Sequence, residues 1–172
     1  MKTLVDSSNV LVLGDNIDTD LIIPARHLLT TDPAELGAHC FEDLLDDLPS
    51  LMRGNGVIVA SNNFGSGSSR EHAPLALIGA GVQCVIAQSF ARIFFRNSFN
   101  VGFPLLTCAG IASAVGKGDR LLVDLEAGAV ENVSRKSKLA AQPIAPFMIE
   151  LLRAGGLIPH VAAKLRARGG AR

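Results

Sequence analysis

Two short apolar runs constrain this chain more than anything else in it: Gly56–Ser61 (GVIVAS) and Val82–Ser89 (VQCVIAQS). Both are rich in β-branched residues and bounded by turn formers, so each reads as a buried strand. Between them lie a loop dense in glycine and serine and a helix-type run, His72–Gly81 (HAPLALIGAG). Strand, helix, strand at this spacing is a βαβ unit, so at least part of the sheet is parallel.

The flanking segments extend the pattern. Ser8–Gly14 (SNVLVLG) reads as a first strand, and Asp32-Pro33 is a helix-start signal for the run that continues to Leu45. Phe90–Phe99 reads as a short helix, and Phe103–Cys108 (FPLLTC) as a further strand. Asp119–Val133 has a different character, two β-type runs about Glu126-Ala127-Gly128, which is a hairpin. The end reads as two short helices broken at Gly155-Gly156, the first burying Phe147, Met148, Leu151 and Leu152, with 167–172 as a frayed tail. The fold class is α/β with an antiparallel hairpin added.

At 172 residues the chain has the length of one domain, residues 1–172, and can build a core without disulfide or metal staples. Sixteen basic against sixteen acidic residues argue against a nucleic-acid partner, which calls for a basic excess. No apolar run approaches the roughly 20 residues of a membrane span, and the start lacks the pattern of a signal or transit peptide. A soluble, cytoplasmic protein is expected. Cys40, Cys84 and Cys108 are odd in number, widely spaced and without a CxxC pair. Cys84 and Cys108 sit in apolar runs as small core residues, so the expectation is a reducing compartment and no metal or cluster held by this chain.

The chemistry concentrates in Asn62–Pro74 (NNFGSGSSREHAP). A glycine-rich turn between a strand and a helix gathers backbone N–H groups at a helix N-terminus, a setting that favours anions. Pro74 fits only the first helical turn, so the helix begins near Glu71 to Ala73, with Ser68, Ser69 and Arg70 at its mouth. Three familiar motifs fail here. The P-loop pattern lacks its lysine, the dinucleotide pattern meets Arg70 where its third glycine belongs, and no serine has glycine two places away on both sides. What remains is hydroxyls beside a guanidinium. Arginine clamps a carboxylate bidentately, and the same positive field favours a serine alkoxide. Such a site suits removal of a proton from carbon next to a carboxylate; a solvated Ser/Gly turn with Arg70 on the surface is the alternative these residues leave open.

Other polar residues read more plainly. Asp18 and Asp20 suit a turn in which Asx side chains cap the backbone and brace the loop after it, rather than a metal pair. His39 and His160 show no partner spacing, and His72 reads as satisfied by nearby backbone. Arg92 and Arg96 share one helix face as a solvated or subunit-facing edge, and His39–Asp47 (HCFEDLLDD) suits either a subunit contact or a solvated helix.

GSGSSREHA, followed by VIAQSFARIFFRNSFNVGFPLL and preceded by DNIDTDLIIP, resembles the small subunits of 3-isopropylmalate dehydratase and the swivelling C-terminal domain of aconitases. The resemblance runs from about residue 9 to 165. It implies a three-layer β/β/α swivelling domain with a mainly parallel central sheet, and a hydro-lyase that converts 2-isopropylmalate to 3-isopropylmalate through 2-isopropylmaleate in leucine biosynthesis. It assigns Ser68 as the catalytic base and Ser69 and Arg70 as holders of a substrate carboxylate. In this family a [4Fe-4S] cluster is held by three cysteines of a separate large subunit. The chain is thus expected to bind no cofactor itself and to work only in a heterodimer or heterotetramer. The family's recognition loop follows DTDLIIPA. Here it reads His27-Leu28-Leu29-Thr30, with His27 departing from the usual tyrosine and Leu29 as the selector of an isopropyl group. The alternatives are a homoaconitase or other hydroxyacid hydro-lyase small subunit, of a dimethylmalate or citramalate type for instance, and a non-catalytic carboxylate-binding module.

Overall fold

The structure, a computed structural model, describes residues 4–52 and 55–169. In chain order it forms β1 (Leu4–Ser7), β2 (Val10–Val12), α1 (Thr19–Ile22), a 3-10 turn (Ala25–His27), α2 (Pro33–Ala38) and α3 (Leu48–Met52). β3 (Gly56–Ala60), α4 (His72–Gly79), β4 (Val82–Ala87), α5 (Arg92–Asn100) and β5 (Leu105–Thr107) follow. The C-terminal part holds α6 (Ile111–Ala114), β6 (Leu121–Asp124), β7 (Ala129–Asn132), β8 (Ser137–Ala140), α7 (Pro146–Ala154) and α8 (Leu157–Gly169).

β2-β3-β4-β5 form one sheet in sequence order, all pairs parallel. β1-β6-β7-β8 form a second, all antiparallel. The pleat sorts the parallel strands' side chains between two cores. Val57, Val59, Cys84, Ile86 and Leu106 face the antiparallel sheet, where Val5, Leu121, Val123 and Val130 meet them. Ile58, Ala60, Val85, Ala87 and Leu105 face the helices, against Leu36, Phe64, Leu77, Phe94 and Leu152. Helices, parallel sheet and antiparallel sheet are therefore three layers, and the middle layer reads as a near-continuous apolar run because both of its faces are covered. The predicted hairpin is present as β6 and β7, its turn capped by Asp124, whose carboxylate accepts from Glu126 N at 3.0 Å and Ala127 N at 2.9 Å.

Several expectations are corrected. The hairpin is the middle of a four-stranded sheet, because β1 pairs with β6 and β8 with β7. β1 has only Val5 and Ser7 turned inward and carries no run long enough to stand out. The helix beginning at Asp32 stops at Ala38; Asp32 caps it as expected, accepting from Ala34 N at 2.9 Å, but Cys40 and Phe41 then turn into the core with Phe41 at φ +57°. On α7 the buried positions are Ile149, Leu151 and Leu152, while Phe147 is half exposed. Of the segment expected as a tail, 167–169 form the end of α8, and 170–172 lie outside the described residues. Cys40, Cys84 and Cys108 are all buried free thiols. Among the described residues no helix is long and apolar enough to cross a membrane.

One contact fixes the helical layer above the site. α2 lies so close to α4 that a Cβ on Gly79 would sit 1.6 Å from Pro33 O, and one on Gly37 would sit 2.2 Å from Gly79 C. Backbone meets backbone there, with no flexible side chain to yield. We expect Gly79→Ala to destabilise the protein by about 1–3 kcal/mol through overpacking, read as a lower urea midpoint at unchanged slope.

Candidate functional site

Consecutive parallel strands put their following loops side by side at one end of the sheet, the edge where α/β proteins bind ligands. The loop after β2 is DNIDTD, the loop after β3 is NNFGSGSSR, and the loop after β4 is QSFA. They are joined as if the sheet continued. Asp18 and Ser66 form a parallel bridge, and so do Phe64 and Phe90. Gly65 N donates to Ile17 O at 2.7 Å, Thr19 N to Ser66 O at 2.8 Å and Ala91 N to Phe64 O at 2.9 Å. Side chains lock the same seam. Asp15 accepts from Asn62 N at 2.8 Å and Asn62 Nδ2 at 2.9 Å, and these bonds hold its carboxyl below the usual range. Asn63 Nδ2 donates to Asn16 Oδ1 at 2.9 Å.

Within this frame the glycine-rich loop is shaped by steric necessity. Gly65 has φ +80° and lies against Phe94, so a Cβ there would fall 2.1 Å from the ring. Phe64 is fully buried and packs edge-on to Phe94 at 5.4 Å, anchoring the loop's base. Beyond Gly67 the chain rises to the surface. Ser68 and Ser69 are exposed, while the Arg70 side chain is 18% exposed. α4 begins at His72, within the expected window. Thr19, fully buried, donates its hydroxyl to Ser68 O at 3.0 Å and so fixes the backbone that carries Ser68. Arg70 Nη1 is paired with Asp20 Oδ1. Asp18 caps α1, accepting from Leu21 N at 2.7 Å. The Asx-turn reading therefore describes Asp18, whereas Asp20 is the counter-ion of Arg70. Sequence reading did not find Thr19, since a buried threonine in a turn carries no pattern of its own.

The recognition segment lies on a separate cleft of about 590 Å³, bordered by Arg26, His27, Leu29, Thr30, Glu35 and His39. Ser68, Ser69 and Arg70 are not among its lining residues. The structure thus brings Ser68, Ser69 and Arg70 together, brings His27, Leu29 and Thr30 together, and links the two groups through α1. Leu29 is 99% exposed, an apolar side chain held in solvent. Thr30 Oγ1 accepts from Asp32 N at 3.1 Å, joining the segment to the cap of α2.

His39, for which spacing offered no partner, is corrected: its ring stacks on that of His27 at 3.7 Å and 8°. Both rings address one carboxylate, His27 Nε2 lying 2.5 Å from Glu42 Oε1 and His39 Nδ1 2.7 Å from Oε2. Arg26 also pairs with Glu42. His160 is corrected too, being buried edge-on to Phe147 with Nε2 3.8 Å from Glu150. The stretch after His39 is a tight turn with Phe41 fully buried, not a solvated helix.

Partial burial pushes the Glu42 carboxyl up, but hydrogen bonds from His27, His39 and Arg26 outweigh it and hold the group at about 2, against 4.5 ordinarily. A depressed folded-state value means stability that is complete above 4.5 and lost as pH falls toward about 2. We expect acid unfolding of the wild type to steepen across that window and Glu42→Gln to flatten it, followed by circular dichroism against pH.

The chain is similar to known proteins along nearly its whole length. Residues 42–109 match the family described as the aconitase C-terminal domain. The chain is 51% identical to the 3-isopropylmalate dehydratase small subunit of Syntrophus aciditrophicus, over 93% of this chain and 98% of that one. It is 47% identical to the isopropylmalate/citramalate isomerase small subunit of Methanocaldococcus jannaschii, over 96% and 98%. A crystal structure of 3-isopropylmalate dehydratase from Methanocaldococcus jannaschii superposes with a TM-score of 0.91 at 34% identity, covering 98% of this chain and 99% of that chain.

Proposed function

Because this chain belongs to the family of 3-isopropylmalate dehydratase small subunits, we propose that it is the small subunit of a hydro-lyase that isomerises 2-isopropylmalate to 3-isopropylmalate in leucine biosynthesis. The observation that carries this reading is the exposure of Ser68 on a loop whose backbone is pinned by Thr19 and whose next turn brings in Arg70. Ser68 Oγ is the base that takes the proton from carbon and returns it on the other carbon. Arg70 and Ser69 receive a substrate carboxylate. A guanidinium presents five N–H groups, and Asp20 engages Nη1, so the incoming carboxylate either joins Asp20 or exchanges with it.

The chain's own sulfur does not fit an iron–sulfur cluster. Cys40 lies in the helical core, Cys84 and Cys108 in the core between the sheets. Burial alone pushes the Cys84 thiol up to about 12 and raises Cys40 and Cys108 as well, whereas cluster ligands are thiolates. In this reading the [4Fe-4S] cluster therefore belongs to a large subunit, which joins this chain in a cytoplasmic heterodimer or heterotetramer. That partner closes over the strand-end loops and makes one site of the Ser68 cluster and the cleft beside Leu29. Leu29 then lies on the alkyl group, a burial worth about 1.5–3 kcal/mol for an isopropyl-sized side chain, with Thr30 beside it and His27 at the base of the loop.

The name of the relative at 47% identity keeps a second substrate, citramalate, in view. A small alkyl hydroxyacid and a larger one differ there only in how much of Leu29 they cover.

Two variants test the proposal in the complex reconstituted with the large subunit. Ser68→Ala should lower kcat by about 10²–10⁴-fold with little change in KM, since a missing base affects the transition state rather than binding; full turnover would instead identify a non-catalytic carboxylate-binding module. Leu29→Arg should shift kcat/KM from isopropylmalate toward homoaconitate, and a wild type that already prefers homoaconitate would overturn the role of Leu29.

A further inference from the structure

Of the His27–His39–Glu42 cluster only His27 belongs to the recognition segment described above, and the donor set is unusual for a surface turn. His27 Nε2, His39 Nδ1 and a Glu42 oxygen all lie within 4.8 Å of one another. The three side chains are 20%, 45% and 25% exposed, shielded yet reachable from solvent through the adjoining cleft. We propose that these three groups form a binding site for a divalent transition-metal ion, zinc foremost, which ties the recognition segment to the end of α2.

Two imidazoles and one carboxylate with an open fourth position are a donor set that zinc accepts, at about 2.0–2.2 Å from each ligand. Tetrahedral coordination at that distance spaces ligand atoms roughly 3.4 Å apart. The nitrogens now meet different oxygens of Glu42, at 2.5 and 2.7 Å, and the rings stack nearly parallel, so binding needs both a slight opening and a tilt of the two rings that turns their lone pairs toward one point. Without metal each ring nitrogen donates its N–H to the carboxylate, which only accepts. On binding, the proton moves through solvent to the other nitrogen of each ring, so both imidazoles stay neutral and supply lone pairs. Arg26, the competing cation, is not stranded when it leaves Glu42, because Asp43 already holds it with Oδ1 2.6 Å from Nη2. Hard, oxygen-preferring magnesium is a poor match for two imidazoles. The buried thiol of Cys40 is turned into the core and takes no part.

The consequence would fall on Ala25–Thr30. His27 stands at the end of the 3-10 turn, two residues before Leu29, and His39 caps the end of α2. A metal between them would clamp the base of the loop without touching the loop's tip.

The test uses the full chain, stripped with a chelator, dialysed, and titrated with zinc chloride by isothermal calorimetry. One zinc per chain with a micromolar or tighter dissociation constant is expected, with a zinc-dependent rise in Tm and no response to magnesium. His39→Asn, Glu42→Gln and His27→Tyr should each weaken zinc binding by at least about tenfold and abolish the rise in Tm, while their metal-free circular dichroism spectra match the wild type. Absence of saturable zinc binding, or binding that all three variants retain, would overturn the proposal and leave a hydrogen-bonded cluster only. The readout is binding by this chain alone, so its failure is separable from failure of the hydro-lyase reading.

Discussion

The parallel register of β2, β3 and β4 is the constraint on which the site depends. Val10 to Val12 lie against Val57 to Val59, and Gly56 to Ala60 run beside β4. Once these strands are in step, the segments that leave their ends must run in step as well. DNIDTD therefore meets NNFGSGSSR, and the bridges at Asp18–Ser66 and Phe64–Phe90 continue the ladder beyond the last strand residue. Three motifs far apart in sequence become one surface because three strands are neighbours. Slipping one strand by a single residue would turn Val57 and Val59 toward the helices and separate Thr19 from Ser68 at the same stroke.

Burial completes that arrangement. The middle sheet divides its side chains between two cores, so its register is held from both faces. The helical face carries the close approach of α2 and α4 at Gly37 and Gly79, and this packing seats the recognition segment, which enters α2 directly. The position of Leu29 is thus inherited from a backbone contact between helices.

Much of this was legible in the sequence where a local pattern reports a local cause. β3 and β4 announce themselves because strands covered on both faces are apolar throughout. The loop between them was recognisable by its glycines, and α4 by Pro74. The hairpin at Glu126-Ala127-Gly128 followed from turn chemistry. The features that escaped depend on distant chain. β1 has too few inward residues to form a pattern, and its partner β6 is more than a hundred residues away. Asp20 as the counter-ion of Arg70, Thr19 beneath Ser68, and the pairing of His39 with His27 all join residues whose proximity only the topology creates. Phe147 misled because its size suggests burial, yet the stripe of α7 falls on Ile149, Leu151 and Leu152 and leaves Phe147 half exposed.

The pairing of Arg70 with Asp20 sets the terms on which the proposed site could take up an acid. The guanidinium is already balanced by an anion from its own chain, so a carboxylate bound there as proposed would have to share Arg70 with a tethered rival or displace it. A ligand offering a single negative charge exchanges like for like and gains little. A diacid that meets Arg70 with one end and some other donor with the second gains where the tethered aspartate cannot follow. If Arg70 holds a substrate carboxylate as proposed, the resting ion pair would favour doubly charged acids over singly charged ones.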